Sequence, residues 1–234
     1  ELLDSDTGLF GVERHLNAES TLANDRLMYH KPVVSFDGNT PQYFVGTGDM
    51  VRRDRLEGVI NNRIFAFKDK DFPLHANADS TIPFTMRDLA DASTSCATSE
   101  QKGWYQNLSS LLSPSLGAKV IGEAAMFSNS TDVYFSTYVP SSDLSCSAEG
   151  SSYLLTMDKS CGTETVAEIK IGDGLATTPV VYKGSIYIGI GNKDELVDAS
   201  TDGVPNIFER SLIDRTGTDA KTTNYSIKSW REIY

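Results

Sequence analysis

Between residues 103 and 161 the chain leaves little room for a helix. It reads GWYQNL, breaks at serine and proline, and runs on as AKVIGEAAMFSNSTDVYFSTYVP. It then crosses a cysteine-bearing loop and closes as SYLLTMDKSCG. Residues 118–126 and 133–139 are apolar runs of strand length, rich in β-branched and aromatic side chains, and the small polar residues 128–132 between them favour a turn. A third run, 152–157, ends at Asp158-Lys159-Ser160-Cys161-Gly162, another turn signal. Trp104 and Tyr105, after a glycine and before Leu108, suit a strand start packed on a core. Strand following short strand at this spacing implies an all-β fold of antiparallel sheets.

The rest of the chain extends the pattern. Residues 31–36 read as a strand opened by Pro32, turned by Asp37-Gly38-Asn39 and answered by 42–47; residues 63–68 make the next strand. Residues 69–100 are the least strand-like, with a short helical turn expected at 85–90. Residues 164–171 continue as a strand, 179–182 and 185–189 form a hairpin about Lys183-Gly184, 192–221 read as a long polar loop, and 226–233 as the last strand. Residues 1–30 are expected to be a poorly structured lead-in. A weak repeat runs through this order. Pro32-Val33-Val34 before Tyr43-Phe44-Val45-Gly46 resembles Glu123-Ala124-Ala125 before Val133-Tyr134-Phe135-Ser136, and again Pro179-Val180-Val181 before Ile186-Tyr187-Ile188-Gly189. A β-propeller blade takes ~40–50 residues, so the spacing predicts a propeller-like stack of four-stranded antiparallel blades, about three to four of them. Similar hairpins also arise without a common repeat. A ring needs 4–8 blades, so the expected partial propeller requires further sequence of the same kind.

Several of these stretches together resemble one family. Gly103-Trp104-Tyr105-x-x-Leu108, then Gly122-Glu123, the Val-Tyr-Phe-x-Thr strand at 133–137, Pro140, a cysteine loop and Leu155-x-Met157-Asp158 follow one order. That order is similar to the C-terminal domain of type IV pilus tip-associated proteins of the PilC/PilY type. YFVGTG at 43–48 followed by NRIFAFKD at 62–69, and the closing Ser229-Trp230-Arg231-Glu232-Ile233, fit the same resemblance, which covers roughly residue 32 to the C-terminus. It implies a non-enzymatic, exported protein at the bacterial cell surface, at a pilus tip or associated with the outer membrane. The implied roles are pilus biogenesis and adhesion, with minor pilin subunits and a host or abiotic surface as partners. Glycine-rich aromatic strands also mark quinoprotein-like propeller enzymes, and a carbohydrate-binding β-domain is a further alternative.

Charge and composition agree with export more than they demand it. A net charge of −11 argues against nucleic acid, whose phosphates want clustered Lys and Arg. No apolar run is long enough for a membrane span. The opening Glu1-Leu2-Leu3-Asp4 lacks a signal-like pattern, and the chain reads as a mature or trimmed C-terminal piece of something longer. Cys96, Cys146 and Cys161 are too few and too scattered for a structural zinc site. Cys146 with Cys161 brackets one strand, and a loop of that length suits a disulfide worth ~3 kcal/mol. Cys96 is then left over, and three buried thiols in a reducing compartment are the alternative.

Catalytic patterns are sparse. His15, His30 and His75 are not at metal-ligand spacing and sit in polar contexts that suit solvated side chains. No serine-hydrolase elbow appears, and Gly46-Thr47-Gly48 and Gly189-Ile190-Gly191 lack the third glycine and the helix of a phosphate cradle. One stretch has the spacing of a calcium loop. Asp198, Ser200 and Asp202 stand at positions 1, 3 and 5, Gly203 at 6, the Val204 carbonyl at 7, Asn206 at 9 and Glu209 at 12. Pro205 departs from the usual apolar position 8, no flanking helices are expected, and the same residues also make an ordinary acidic connection. The resembled family carries a calcium loop of its own. Its expected place is upstream of Glu1, and 198–209 is not matched to it.

Overall fold

The structure, a computed structural model, describes residues 16–17, 26–51, 61–70, 72, 84–112, 117–127, 130–142, 150–182, 185–191, 206–211 and 226–228. Among them there is no α-helix, and the protein is all-β with several antiparallel sheets, none closed into a barrel. After β1 (Leu16–Asn17), the first sheet is laid down by β2 (Val33–Asp37), β3 (Thr40–Gly46) and β4 (Arg63–Lys68). The short β5 (Phe84–Thr85) pairs in parallel with β1, and β6 (Leu89–Asp91) and β7 (Gly103–Asn107) complete the first sheet in the order β2-β3-β4-β7-β6. The expected helical turn at 85–90 is a 3-10 turn, Met86–Asp88, held between β5 and β6.

The second sheet comprises β8 (Lys119–Val120), β9 (Ala125–Met126), β10 (Asp132–Val139), β11 (Ser151–Asp158) and β12 (Glu164–Asp173). The third comprises β13 (Leu175–Ala176), β14 (Val180–Tyr182), β15 (Ser185–Gly191), β16 (Asn206–Ser211) and β17 (Ser226–Lys228). In both, two short pieces pair with the same second strand and the remainder is a plain antiparallel meander. Each of the three sheets therefore contains a four-stranded antiparallel run in chain order. The residues read as a continuous polar loop after 191 include β16, which pairs with β15 on one side and β17 on the other. Of the lead-in, 1–15 and 18–25 lie outside the described residues.

Side-chain alternation explains how the sheets pack. On β10, Val133, Phe135 and Val139 join Phe44, Ile64 and Trp104 of the first sheet in one buried cluster. Tyr134 and Tyr138, on the opposite face of the same strand, join Ile186, Ile188 and Ile190 of the third sheet in another. All eight residues of β10 are buried, which is why Val133-Tyr134-Phe135 and Tyr138-Val139 are apolar at consecutive positions rather than alternating. A third cluster, including Val45, Phe65 and Phe67 with Met86 and Leu89, covers the far face of the first sheet with its own connection.

Polar ties reinforce the contact between the first and second sheets. Buried Asn62 donates from Nδ2 to the Ala118 carbonyl (2.8 Å) and accepts from Thr47 Oγ1 (3.1 Å), while the Val120 N–H donates to the Thr47 carbonyl (3.0 Å). At the outer side the β11–β12 turn acts as a clasp. The Lys159 carbonyl accepts from Gln42 Nε2 (2.7 Å) and from Trp104 Nε1 (2.9 Å). Gly162, at φ +76°, lies so close under the Trp104 ring that a Cβ has no room.

The disulfide differs from the expected pairing. Cys161 is bonded to Cys96, not to Cys146, with the two Cα atoms 4.4 Å apart. Strand β7 docks Trp104 on the clasp, and this brings the segment leading into β7, which carries Cys96, beside Cys161. Proximity in sequence favours Cys146, but the packing of the first sheet on the second selects Cys96. Cys146 itself lies outside the described residues.

Candidate functional site

The feature that the three sheets share, apart from their meanders, is a broken first strand. In the first sheet the Gly48 N–H donates to the Leu27 carbonyl (2.8 Å), and pairing resumes only at β2. In the second, residues 121–124 interrupt the ladder between β8 and β9; in the third, 177–179 separate β13 from β14. Each interruption carries a residue that disfavours a regular ladder: Pro32, Gly122 and Pro179. Proline has no N–H to give, and glycine weakens a strand interior.

These breaks converge. Lys31 Nζ lies 3.5 Å from Glu123 Oε2, joining the first break to the second. Between them His30 is half-buried, hydrogen-bonded at the main chain of Ile121 and close to the Glu123 carboxylate. Burial holds its imidazole below the ordinary histidine value, although Glu123 and the Ile121 bond both pull it upward. The ring is therefore neutral at pH 7, and its Nε2 is sealed from water without a hydrogen-bond partner. Gly122 meets the third break: a Cβ on it would fall 2.8 Å from Thr178 Oγ1 and 3.0 Å from Thr178 Cα. Nearby in sequence, Tyr29 donates its hydroxyl to Asp49 Oδ1 (3.4 Å), which also accepts the Val51 N–H (2.9 Å).

This strip offers a cation, carboxylates, a neutral imidazole and a hydroxyl, groups suited to holding polar chemistry by hydrogen bonds. His30 is the one histidine among the described residues, and no hydroxyl or thiol is bonded to it. Among the described residues no group of three or more His, Cys, Asp or Glu side chains is placed to hold a metal ion, and no helix is long and apolar enough to cross a membrane.

The calcium-loop residues fall in two places. Asp198, Ser200, Asp202 and Val204 lie outside the described residues. Asn206 and Glu209 belong to β16, where Asn206 is opposite Ile190 and Glu209 is opposite Tyr187 on one side and Ser226 on the other. The backbone of the last part of the stretch is thus an extended strand. His30, which its polar sequence context suits to a solvated side chain, is instead half-buried. The proline two residues after it and the Gly122-Glu123 pair are the signals that mark where it is enclosed.

Set against protein-family models, curated proteins and solved structures, the chain matches none of them.

Proposed function

We propose that this chain is a non-enzymatic binding module of an exported bacterial surface protein, its three large sheets being consecutive blades of an open β-propeller. In this reading it acts as the type IV pilus tip-associated proteins do, in pilus biogenesis and attachment, with minor pilin subunits and a host or abiotic surface as partners. The observation that carries the reading is the repeat of one meander on one motif. YFVG, VYFS and IYIG occupy the second strand of successive sheets, and the final residues of the three motifs, Gly46, Ser136 and Gly189, occupy the same place in each. The disulfide between Cys96 and Cys161 accords with an oxidising compartment outside the cytoplasm. Deleting the gene in its own cells should lower the number of surface pili and the fraction of cells that attach. Unchanged piliation and attachment would remove the pilus role.

Calcium at 198–209 belongs to the same proposal. Extracellular calcium modules bind at ~0.1–1 mM, so calcium at ~5 mM, roughly 5–50 times Kd, would stabilise the bound state by ~1–2 kcal/mol. Millimolar calcium should therefore raise Tm, and Asp198→Ala combined with Glu209→Ala should abolish the rise. A wild-type Tm indifferent to calcium would make the stretch an acidic connection only.

A further inference from the structure

Position by position, the three second strands align. Phe44, Tyr134 and Tyr187 are equivalent, as are Gly46, Ser136 and Gly189. In the first two sheets these residues face the sheet that follows in sequence, and in the third they lie on the face opposite Ile186, Ile188 and Ile190, which pack on the second sheet. Their first-strand neighbours are fixed by the ladders: Val33 is opposite Phe44, Ala125 opposite Tyr134, and Val180 opposite Tyr187.

In the first two sheets this face is filled in one way, by the first strand of the next sheet. Val120 of β8 stands directly over Gly46, where even a Cβ has no room. Thr177, between β13 and β14, places its carbonyl 2.9 Å from Ser136 Oγ, which donates to it. Val33 packs against the first cluster, and Ala125 belongs to the second. The third sheet has the same face and a different fate. Val180 is 58% exposed and Tyr182 54%. A Cβ built on Gly189 would meet only Thr177 of its own sheet, with the nearest atom at 3.2 Å. At Gly189 a Cβ would press only on the Thr177 side chain, which would have to give by a few tenths of an ångström, whereas at the equivalent Gly46 it is excluded outright by an incoming strand.

We infer that the face of the third sheet carrying Val180 and Gly189 is a docking surface for the first strand of one more antiparallel sheet, which sets an aliphatic side chain over Gly189 as Val120 is set over Gly46. The inference rests on the blade reading above and adds to it the position, the partner and the contact. The occupant is an extended apolar strand running into a hairpin, and not a glycan, a lipid or a second copy of this same face.

The test replaces Val180 by a benzophenone amino acid in the protein made by its own cells, irradiates it and maps the adduct by peptide mass spectrometry. The expected result is one principal adduct on an apolar strand followed by a hairpin, with the yield reduced at least ten-fold by Gly189→Val, which fills the place of the incoming side chain. The same benzophenone at exposed position 163, near the clasp, should give an adduct pattern that Gly189→Val leaves unchanged. No adduct at 180, an adduct on residues 180–191 of a second copy, an adduct on a non-protein molecule, or a yield insensitive to Gly189→Val would each overturn the inference. The readout is contact, not piliation. A chain that fails the deletion test for pili can therefore still pass this one, and the reverse also holds.

Discussion

Strands β10 and β15 are built on closely similar motifs, yet one is buried at all eight positions and the other alternates between buried and part-exposed. The difference lies in what stands on the second face. Behind β10, Tyr134, Ser136 and Tyr138 meet the third sheet, so both sides of the strand are interior. Behind β15, the corresponding face holds Tyr187, Gly189 and the exposed Gly191. A strand's motif therefore reports the sheet it can join, whereas its burial reports how many neighbours it has. The two sheets should respond very differently to equivalent damage.

Truncating one side chain in each sheet should give the largest difference between them. Phe135→Ala removes a ring with no exposed surface and should cost about 3–5 kcal/mol. Val180→Ala, on the open face, should stay within about 0.5 kcal/mol. Urea denaturation monitored by circular dichroism measures both, and equal costs would show that the second sheet is no more central than the third.

The disulfide comes next. Closing a loop with a sequence separation of 65 stabilises by about 4 kcal/mol in the chain-entropy account, and native bridges commonly give ~2–4. Reduction should lower Tm. In hydrogen exchange it should loosen β4 and β7 well before β15, because the bridge joins only the first two sheets. Peptide mapping that recovered Cys146 joined to Cys161 would restore the pairing expected from sequence and undo this prediction.

A smaller effect belongs to the outer edge of the second sheet. Burial, and then the neighbouring Glu168, push the Glu164 carboxyl up to about 7. Above the ordinary carboxylate value the unfolded chain has released this proton while the folded chain retains it. The contribution is thus complete below about 4.5 and is lost as pH rises through about 7. Glu164 is only half withdrawn from water, so after discounting for screening the loss should be on the order of 1 kcal/mol. Glu164→Gln should flatten the fall in Tm between pH 5 and pH 8; an unaltered slope would assign it to other groups. Least of all, Asp37→Asn removes the 2.7 Å pair with Lys68, whose Asp37 side chain is 66% exposed. The pair holds the Asp37 carboxyl below its usual value, yet at that exposure the change in stability should stay within about 0.5 kcal/mol.

Much of the sheet structure was legible in the residues, for a physical reason. Ile64-Phe65-Ala66-Phe67 and Val133-Tyr134-Phe135 combine high strand preference with burial on both faces, so local preference and packing agree. Strand β16 was not legible, because Asn-Ile-Phe-Glu-Arg-Ser has two apolar residues among polar neighbours and its strand form depends on β15 being alongside. The repeat was read one residue out in the second sheet. Sequence similarity aligns Ala124 with Val33, whereas the ladder makes Ala125 its equivalent, since Gly122-Glu123 lengthens that break. Cys96 and His30 were missed for a common cause. Both owe their surroundings to segments far away in the chain, Cys96 to the clasp at 158–162 and His30 to Ile121 and Glu123; the breaks at Pro32 and Gly122 mark two places, but nothing local says that they meet.

The clasp has a mechanical consequence. If the chain is pulled from its two ends, unravelling from either side stops where Cys96 and Cys161 are joined. The segment between them, with a separation of 65, amounts to roughly 220 Å of extended chain at ~3.4 Å per residue. Tension cannot draw out that length while the bond is intact, because the load passes from Cys96 to Cys161 and bypasses β7 to β11. Reducing agent should therefore lengthen the rupture trace of a single stretched molecule by about this amount, leaving the third sheet's own unravelling step unchanged.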